Sequence, residues 1–408
     1  MRIAMIGPFG LEPKSTVRCR ALPLGRALAA RGHEVLIVMP PWHTPAAAPR
    51  RWQDGGVTLE YVALGPRVPL VRHAAIAARL VHRALAWRPD VVHCFKPKAH
   101  AGLAAGVFWY LRRATGVRLV VDEDDWEGPG GWNEREGYPA VARALFERQE
   151  RWGLRHADAV TVASRALEAI VWSLGAPPET VHYVPNGADA PAPGNGRAVR
   201  DRLGLGDRPT MLLYTRLAEF DPRRPVAVLG AVRASVPNVA LLVVGRALAP
   251  EDDDLFDCAV RDEGLVDHVV RVGWASVEEL PGYLGAADVA LFPYNDTLVN
   301  RCKCSAKLIE LLAAGVPVVA DDVGQNREYI VHGETGVLVP CGEVQAMAGA
   351  LTALLGDAAG RQRLGGAAAR RMASVFAWPT LAERALQAYE GMVPAGCGAV
   401  RRSLRAPR

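Results

Sequence analysis

The stretch RCKCSAKLIELLAAGVP, residues 301–317, decides the fold of this chain. It has the pattern of a polar loop followed by a short amphipathic helix, with Ser305 at the N-cap position and Gly315 at the end. A helix that begins at a polar loop offers backbone N–H groups and a partial positive charge, which suit a diphosphate. The pattern therefore predicts that Ser305, Ala306 and Lys307 bind phosphate groups.

Glu310 lies more than one turn inside this predicted helix. A carboxylate at that position can accept two hydrogen bonds from a ribose diol, and the segment then has the outline of a nucleotide-sugar site. The alternative is a buried helix carboxylate that pairs with Lys307, three residues earlier. Because Glu310 stands in the middle of a helix whose start is expected to hold phosphate, we favour ribose binding.

Length and composition fit a globular enzyme with two domains. The chain has 408 residues, half of them apolar, and a net charge of +5 that does not by itself call for nucleic acid. Seven cysteines without framework spacing fit a reducing compartment, so the cytoplasm is the expected location. The sequence has no signal-peptide pattern and no apolar run of membrane-spanning length.

Apolar strand-like runs alternate with helical patterns, as is typical of parallel α/β architecture. Strands are predicted at residues 2–6, 34–39, 59–63, 91–94, 118–121, 159–163, 181–184, 210–214, 239–244, 269–272, 289–292, 316–320 and 337–339. A turn-rich stretch at 186–196 separates the two strand sets.

This pattern predicts two Rossmann-like domains, 1–188 and 189–379, facing across a central cleft at the carboxyl ends of their strands. A helix at about 380–394 is expected to pack back on the first domain. A basic, disordered tail is predicted at 395–408.

The segment 301–317 resembles the donor motif of retaining GT-B glycosyltransferases of family 4 type. Such enzymes carry a Glu, seven residues, a second Glu and a small-residue run that ends in Gly-x-Pro; Glu310 matches the second Glu. Further matches in family order are RGHEV at 31–35, ADAVTVAS at 157–164, VPNG at 184–187, GW at 273–274, AADV at 286–289 and GETG at 333–336. The resemblance covers nearly the whole chain. It implies a GT-B fold and transfer of a sugar from a nucleotide diphosphate with retention.

The resemblance also implies an Arg and a Lys after the first strand of the donor domain, which stabilise charge on the β-phosphate. Arg216 matches the Arg, whereas Asp221 replaces the Lys and Arg224 follows nearby. A guanidinium is always charged and can hold a phosphate through two hydrogen bonds. We therefore predict that Arg216, and after it Arg224, are catalytic; a solvated arginine is the alternative for each.

Four more positions are expected beside the nucleotide sugar. In similar enzymes, backbone groups at the positions of Gly273 and Trp274 run along the base, and packing between the domains is the alternative for Trp274. Gly324 and Gln325 follow the next predicted strand and are expected near the same place.

Cys302 departs from the family pattern, because it stands where the first Glu is expected. A thiol cannot accept charge-assisted hydrogen bonds as a carboxylate does. If Cys302 lines the sugar pocket, a loop donor such as Asn300, Lys303 or Ser305 compensates for the missing carboxylate, or the donor differs. Cys302 and Cys304 alone do not indicate a metal site, since no second Cys or His pair is near.

Two loops of the first domain are expected to handle the acceptor. The first βα turn, which ends at Gly10, lacks the GxGxxG pattern of hydride-transferring enzymes and resembles the acceptor-side loop of the family. Asp124 and Asp125 follow a predicted strand, where similar enzymes often carry a His, and can orient or deprotonate an acceptor hydroxyl. A solvated acidic loop or a Mg²⁺ site is the alternative, and no cofactor is predicted to be required.

The expected partners are a nucleotide-sugar donor and an acceptor. The default donor nucleotide is UDP, and the acceptor is a glycan, a glycolipid or a small molecule. Arg72, Arg79 and Arg83 on one face of a helical segment at 70–87 fit peripheral contact with the inner face of a membrane, or simply a solvated surface. Two rival functions remain open: a non-catalytic nucleotide-binding paralogue that serves a partner protein, and a pseudo-sugar coupling enzyme of the same fold.

Overall fold

The computed structural model describes residues 1–13, 16–66 and 68–392, so the predicted tail at 395–408 lies outside the described residues. The strands are β1 (Arg2–Ile6), β2 (Glu34–Met39), β3 (Arg50–Asp54), β4 (Val57–Tyr61), β5 (Val91–Phe95), β6 (Arg118–Glu123), β7 (Ala159–Val162), β8 (Val181–Tyr183), β9 (Thr210–Tyr214), β10 (Ala240–Val244), β11 (Val269–Gly273), β12 (Val289–Phe292), β13 (Val318–Asp321) and β14 (Val337–Val339).

The α-helices are α1 (Leu22–Ala30), α2 (Pro69–Ala86), α3 (Ala99–Thr115), α4 (Trp132–Arg135), α5 (Ala140–His156), α6 (Arg165–Ser173), α7 (Gly196–Leu203), α8 (Arg223–Arg233), α9 (Pro250–Asp262), α10 (Leu280–Gly285), α11 (Leu298–Cys302), α12 (Ala306–Ala313), α13 (Asn326–Tyr329), α14 (Val344–Gly356), α15 (Ala358–Val375) and α16 (Trp378–Glu390). The chain divides into two compact units.

Of the described residues, the first unit contains those within Met1–Gly187, Cys302–Cys304 and 377–392. Its sheet has the order β3-β4-β2-β1-β5-β6-β7-β8, and every pair is parallel except β3 with β4. Successive residues of β1 enter different apolar clusters, Ala4 in one and Ile3 in the other, because helices cover both faces of a parallel sheet. The last helix, α16, packs on β6, β7 and β8 and beside α1.

Strand β3 was absent from the sequence prediction. It forms a hairpin with β4 through Gly55 and Gly56, both at positive φ. Glycine adopts this conformation without the steric cost that a side chain brings, and the Gly55-Gly56 pair is a known signal for a two-residue hairpin turn. The turn signal was present in the sequence, but β3 was not predicted because its residues are mainly polar and lack the apolar pattern of a strand.

The second unit contains Ala188–Arg301 and Ser305–Phe376. Its six strands are all parallel, in the order β11-β10-β9-β12-β13-β14. The sequence placed the boundary one residue later, after residue 188, and assigned Cys302–Cys304 to the second domain, whereas the structure groups these three residues with the first unit. The prediction of an α/β fold with two parallel sheets is confirmed.

Candidate active site

Helix α12 supplies the start of the candidate donor site in the second unit. Its apolar residues Leu308, Ile309, Leu311 and Leu312 are all buried, which fixes the helix against the core. Ser305 occupies the N-cap position with extended backbone, but its hydroxyl makes no capping hydrogen bond. The hydroxyl therefore does not occupy the N–H groups of the first turn, which are the groups that bind an anion at a helix start.

Lys307 connects the start of α12 to the end of β9. Its ammonium lies 4.7 Å from the centre of the Tyr214 ring, within the range of a cation–π contact. Glu310 is half-buried on the next turn of the helix, and Ala306 is half-buried at its first position. Parallel strands present their carboxyl ends at one edge of the sheet, so Lys307 places the start of α12 at that edge.

Arg216 lies in the turn that follows β9, at the same edge. Its Nε donates to Glu219 Oε1 at 2.9 Å, and its side chain is 29% exposed. Leu217 has a φ of 50°, which is uncommon for a residue with a side chain and indicates that the surroundings enforce the turn. The Glu219 carbonyl accepts hydrogen bonds from Asn295 N at 2.9 Å and from Asn300 Nδ2 at 2.7 Å. The Arg216 guanidinium is therefore held on a fixed backbone.

Arg224 has a different environment from the one predicted. Its guanidinium pairs with the carboxylate of Asp321 and donates to the Tyr294 carbonyl at 3.2 Å. Asp321 is buried and also accepts from Tyr294 N at 2.6 Å and Gly342 N at 3.1 Å. Burial raises the pKa of the Asp321 carboxyl, and the charge of Arg224 opposes that shift. The structure therefore pairs Arg224 with a buried carboxylate, and its leaving-group role stays a prediction.

Gly273 and Trp274 lie at the carboxyl end of β11. The Gly273 carbonyl accepts from Gly245 N at 2.6 Å, and the Trp274 side chain is exposed. A Cβ at Gly245 would collide with the carbonyl of Thr215, just before Arg216. The carboxyl ends of β9, β10 and β11 therefore meet closely, and the predicted base-contacting segment follows the third of them.

Gly324 and Gln325 follow β13. Gly324 has a φ of 50°, and a Cβ there would lie 2.6 Å from the Arg301 backbone, so only glycine fits without movement. Gln325 is buried and occupies the position before α13. Gly324 thus allows the chain after β13 to pass directly against the end of α11.

The structure places Cys302 and Lys303 in the first unit. The Cys302 side chain is fully buried in an apolar cluster of that unit, and its carbonyl accepts from Ser164 Oγ at 2.8 Å. Lys303 lies 5.6 Å from the centre of the Trp132 ring. A thiol with no exposed surface cannot touch a donor sugar, so the structure gives Cys302 a packing role in place of the predicted sugar contact.

The predicted acceptor residues lie in two tightly held loops of the first unit. Gly10 is buried, and a Cβ there would lie 3.2 Å from the Tyr61 ring. Leu11 N donates to the Tyr61 hydroxyl at 3.2 Å, which ties this loop to β4. Asp124 and Asp125 follow β6 as predicted, and Lys96 follows the neighbouring strand β5.

Lys96 lies at the centre of an acidic cluster that we define as Lys96, Lys98, Asp124, Asp125 and Glu127. The Lys96 ammonium is 3.3 Å from Asp124, 3.2 Å from Asp125 and 3.1 Å from Glu127, and Lys98 is 2.7 Å from Glu127. Lys96 has a φ of 51°, so its backbone is held in an unusual conformation at this point. Both lysines are engaged by carboxylates, and the two aspartates are held by Lys96.

Burial shifts the pKa values of several carboxyls here. Burial raises the pKa of Asp124 to about 6, against the opposing charge of Lys96. Burial and the charge of Glu150 hold the pKa of Glu123 well above its usual range, and burial raises that of Glu150 to about 8. Burial would also raise the pKa of Glu127, but Lys96 and Lys98 together lower it. A carboxyl with a pKa near 6 suits a base that works at neutral pH.

Three residues hold these loops through partners that were not predicted from the sequence. Glu219 follows Arg216 by three residues, a spacing that signals an ion pair, whereas no motif marks Asn300 or Lys96 as a partner of distant residues. Within the described residues, no three His, Cys, Asp or Glu side chains are grouped to hold a metal ion. No helix in that part of the chain is long and apolar enough to cross a membrane.

Comparison with protein-family models gives two matches. Residues 16–187 match the glycosyl transferase 4-like domain, and residues 225–357 match the glycosyl transferases group 1 domain. The two matches fall on the two units.

Relatives and solved structures agree with these matches. A GDP-mannose-dependent alpha-(1-6)-phosphatidylinositol monomannoside mannosyltransferase of Mycolicibacterium smegmatis is 31% identical over 69% of this chain and 72% of its own. Glycogen synthase of Mycobacterium tuberculosis is 28% identical over 90% of this chain and 88% of its own. Sucrose-phosphate synthase from Thermosynechococcus elongatus, a GT-B structure, aligns with a TM-score of 0.72 at 24% identity over 95% of this chain and 98% of its own. The chain therefore belongs to the glycosyltransferases of family 4 type and has the GT-B fold.

Proposed function

We propose that the protein is a retaining glycosyltransferase that moves a hexose-like unit from a nucleotide diphosphate to an acceptor hydroxyl. The observation that carries the proposal is the Lys307–Tyr214 contact. It places the start of α12, with Glu310 one turn further along, at the sheet edge where the turn with Arg216 begins. One sheet edge then carries groups for the main parts of a nucleotide sugar. The helix start and the Arg216 guanidinium suit the diphosphate, and the Glu310 carboxylate suits the ribose.

In this proposal the first turn of α12 and Arg216 bind the diphosphate, and Glu310 binds the ribose. Arg216 stabilises the negative charge that develops on the β-phosphate as the anomeric C–O bond breaks. The acceptor oxygen then forms a bond to the same face of the anomeric carbon, and its proton passes to a β-phosphate oxygen. Asp124, with Asp125 beside it, orients the acceptor hydroxyl by accepting its hydrogen bond. No cofactor is part of this mechanism.

The donor nucleotide is expected to be UDP, as is common among similar enzymes. GDP is the main competitor, because the M. smegmatis relative is named as GDP-mannose-dependent. We propose a glycan, glycolipid or small-molecule acceptor; the relatives are named for glycogen and for phosphatidylinositol mannoside. The proposed location is the cytoplasm, with peripheral contact at the inner membrane face.

A thermal-shift screen of UDP-, GDP-, ADP- and dTDP-sugars tests donor binding, because a ligand that binds the folded state raises the melting temperature. We expect one nucleotide to stabilise the protein and its sugar to be released in the absence of acceptor. The anomeric configuration of the released or transferred sugar, read by NMR, then tests retention. Nucleotide binding without hydrolysis or transfer would favour the non-catalytic paralogue. Binding of none of the four would contradict the proposed donor site.

A further inference from the structure

A continuous chain of buried polar side chains runs through the first unit, and none of the roles described above uses it. Its centre is Arg20, which is only 1% exposed. Arg20 lies in a π-helical turn, Val17–Ala21, that leads into α1. Its guanidinium makes two hydrogen bonds with Asp122, at 2.5 and 2.6 Å. Burial opposes the charge of Arg20, but Asp122 outweighs it and keeps the pKa of the guanidinium above its usual value.

One end of this row of buried polar side chains reaches helix α16. Thr161 Oγ1 donates to Asp122 Oδ1 at 2.5 Å, and His93 Nε2 lies 3.0 Å from the same hydroxyl oxygen. His93 Nδ1 lies 2.8 Å from the hydroxyl of Tyr389 on α16. These contacts join β5, β6 and β7 to α16. Stabilising the core of the first unit is therefore a sufficient role for this half of the side-chain network.

The other end of this row of buried polar side chains reaches Cys304. Arg20 Nη1 donates to Asn186 Oδ1 at 3.1 Å. Asn186 in turn donates from Nδ2 to the Cys304 carbonyl at 3.3 Å and from its backbone N–H to the Cys304 thiol at 3.2 Å. Two residues earlier, the Cys302 carbonyl accepts from Ser164 Oγ at 2.8 Å. Both ends of the segment Cys302–Cys304 are therefore anchored within the first unit.

The position of this segment gives the anchor a consequence for ligand binding. Cys304 is followed directly by Ser305 and then by the first turn of α12, where the proposed function places the diphosphate. Small displacements of catalytic and binding groups lower both affinity and rate. Arg20 fixes the orientation of the Asn186 side-chain amide. The Asn186 oxygen accepts from the guanidinium, so the amide nitrogen points toward Cys304.

We propose that Asn186, oriented by Arg20, is a positioning residue for donor binding: it holds Cys304 and thereby fixes the start of the phosphate-binding helix α12. The inference rests on the proposed function for the identity of the ligand. Asn186 does not touch the nucleotide in this account. It acts through the peptide of Cys304.

Asn186→Asp separates the two side-chain contacts of this residue. The aspartate keeps an oxygen for Arg20 but loses the N–H that donates to the Cys304 carbonyl. UDP and GDP are titrated separately by calorimetry into wild type and Asn186→Asp. We expect the nucleotide that the wild type prefers to bind the variant about tenfold more weakly. Thr161→Val is the matched control, because it removes hydrogen bonds from the same buried network on the far side of Arg20. It should lower the melting temperature but leave nucleotide affinity within about twofold.

Thiol labelling gives a second readout that does not depend on nucleotide binding. In Asn186→Ala we expect iodoacetamide to modify Cys304 about tenfold faster than in wild type, with the exposed Cys258 as internal reference. Peptide mass spectrometry locates the modified residue. Thr161→Val should leave the Cys304 rate near that of wild type.

Two results would overturn the inference. One is an unchanged labelling rate of Cys304 in Asn186→Ala. The other is nucleotide affinity that falls in Thr161→Val and Asn186→Asp in proportion to their melting temperatures, since that would mark a purely structural network. If the wild type binds none of the UDP-, GDP-, ADP- and dTDP-sugars, the proposed function fails, and the labelling result alone decides whether Asn186 holds the segment.

Discussion

At the scale of single residues, Arg216 is the side chain on which the proposed leaving-group chemistry depends. Arg216→Ala is expected to lower kcat by about 10²–10³, because its charge interacts most strongly with the β-phosphate while the bond breaks. Donor affinity should change far less. Arg223→Ala is the matched control, since this nearby arginine is exposed and pairs only locally with Asp221. Turnover of Arg216→Ala within about threefold of wild type would move the leaving-group role to another residue.

Cys302 is expected to act through packing, since its side chain is fully buried in an apolar cluster. Cys302→Ser places a hydroxyl in that cluster and should lower the free energy of unfolding by about 1–3 kcal/mol. Donor selectivity, measured as the ratio of kcat/KM for two nucleotide sugars, should remain unchanged. Cys258→Ser, at an exposed position, should alter neither quantity. A change of donor selectivity in the folded Cys302→Ser variant would restore the sugar contact that the sequence predicted.

Asp124 gives the proposed reaction a pH dependence. Its pKa is raised to about 6, so the unprotonated form that accepts a hydrogen bond from the acceptor is lost below that pH. We expect the transfer rate to fall as the pH drops through about 6, and Asp124→Asn, whose side chain keeps an acceptor oxygen but does not titrate, to lose that acidic limb. Asp125→Asn distinguishes the neighbouring carboxylate. An unchanged acidic limb in Asp124→Asn would assign it to another group.

At the scale of elements, helix α5 contributes a buried carboxyl, Glu150, that couples stability to pH. Its pKa is raised from 4.5 to about 8 by burial. Such a group stabilises the fold below its unfolded pKa, and this stabilisation is lost as the pH rises through about 8, because the folded state then binds more protons than the unfolded state. Glu127 N donates to Glu150 Oε1 at 2.8 Å, a bond that a glutamine can keep.

Glu150→Gln should therefore raise the melting temperature at pH 8 by about 2–4 °C or more and change it less at pH 5. Differential scanning calorimetry at the two pH values measures the effect. Glu147→Gln, at a half-exposed position on the same helix, is the control and should show no such difference. Equal shifts at both pH values would mean that Glu150 does not titrate in this range.

Most elements could be predicted from the sequence, because their patterns are local. The apolar runs of β1, β2 and β9 matched the observed strands to the residue. Strand β3 was missed because its residues are mainly polar, and α11 was missed because its five residues read as a loop. Both elements depend on partners elsewhere in the chain, which periodicity does not reveal.

At the scale of the whole molecule, the sequence identified the fold and the donor motif but not the tertiary partners of single side chains. The ion pair of Arg224 could not be predicted, because its partner Asp321 is almost a hundred residues away in the sequence. Cys302 looked like a sugar contact because the motif around it belongs to the second unit, whereas Cys302–Cys304 belong to the first. Long-range ion pairs and the course of the chain between compact units leave no periodic signal in the sequence.

The central claim is that α12 forms a nucleotide-diphosphate site with Glu310 on the ribose. Calorimetric titration of UDP and GDP into wild type and Glu310→Ala tests it most directly, with Glu334→Ala as an exposed control. Loss of two charge-assisted hydrogen bonds should weaken binding by about 2–4 kcal/mol, while the variant keeps its folded structure by circular dichroism. Unchanged nucleotide affinity in a folded Glu310→Ala protein would contradict the claim.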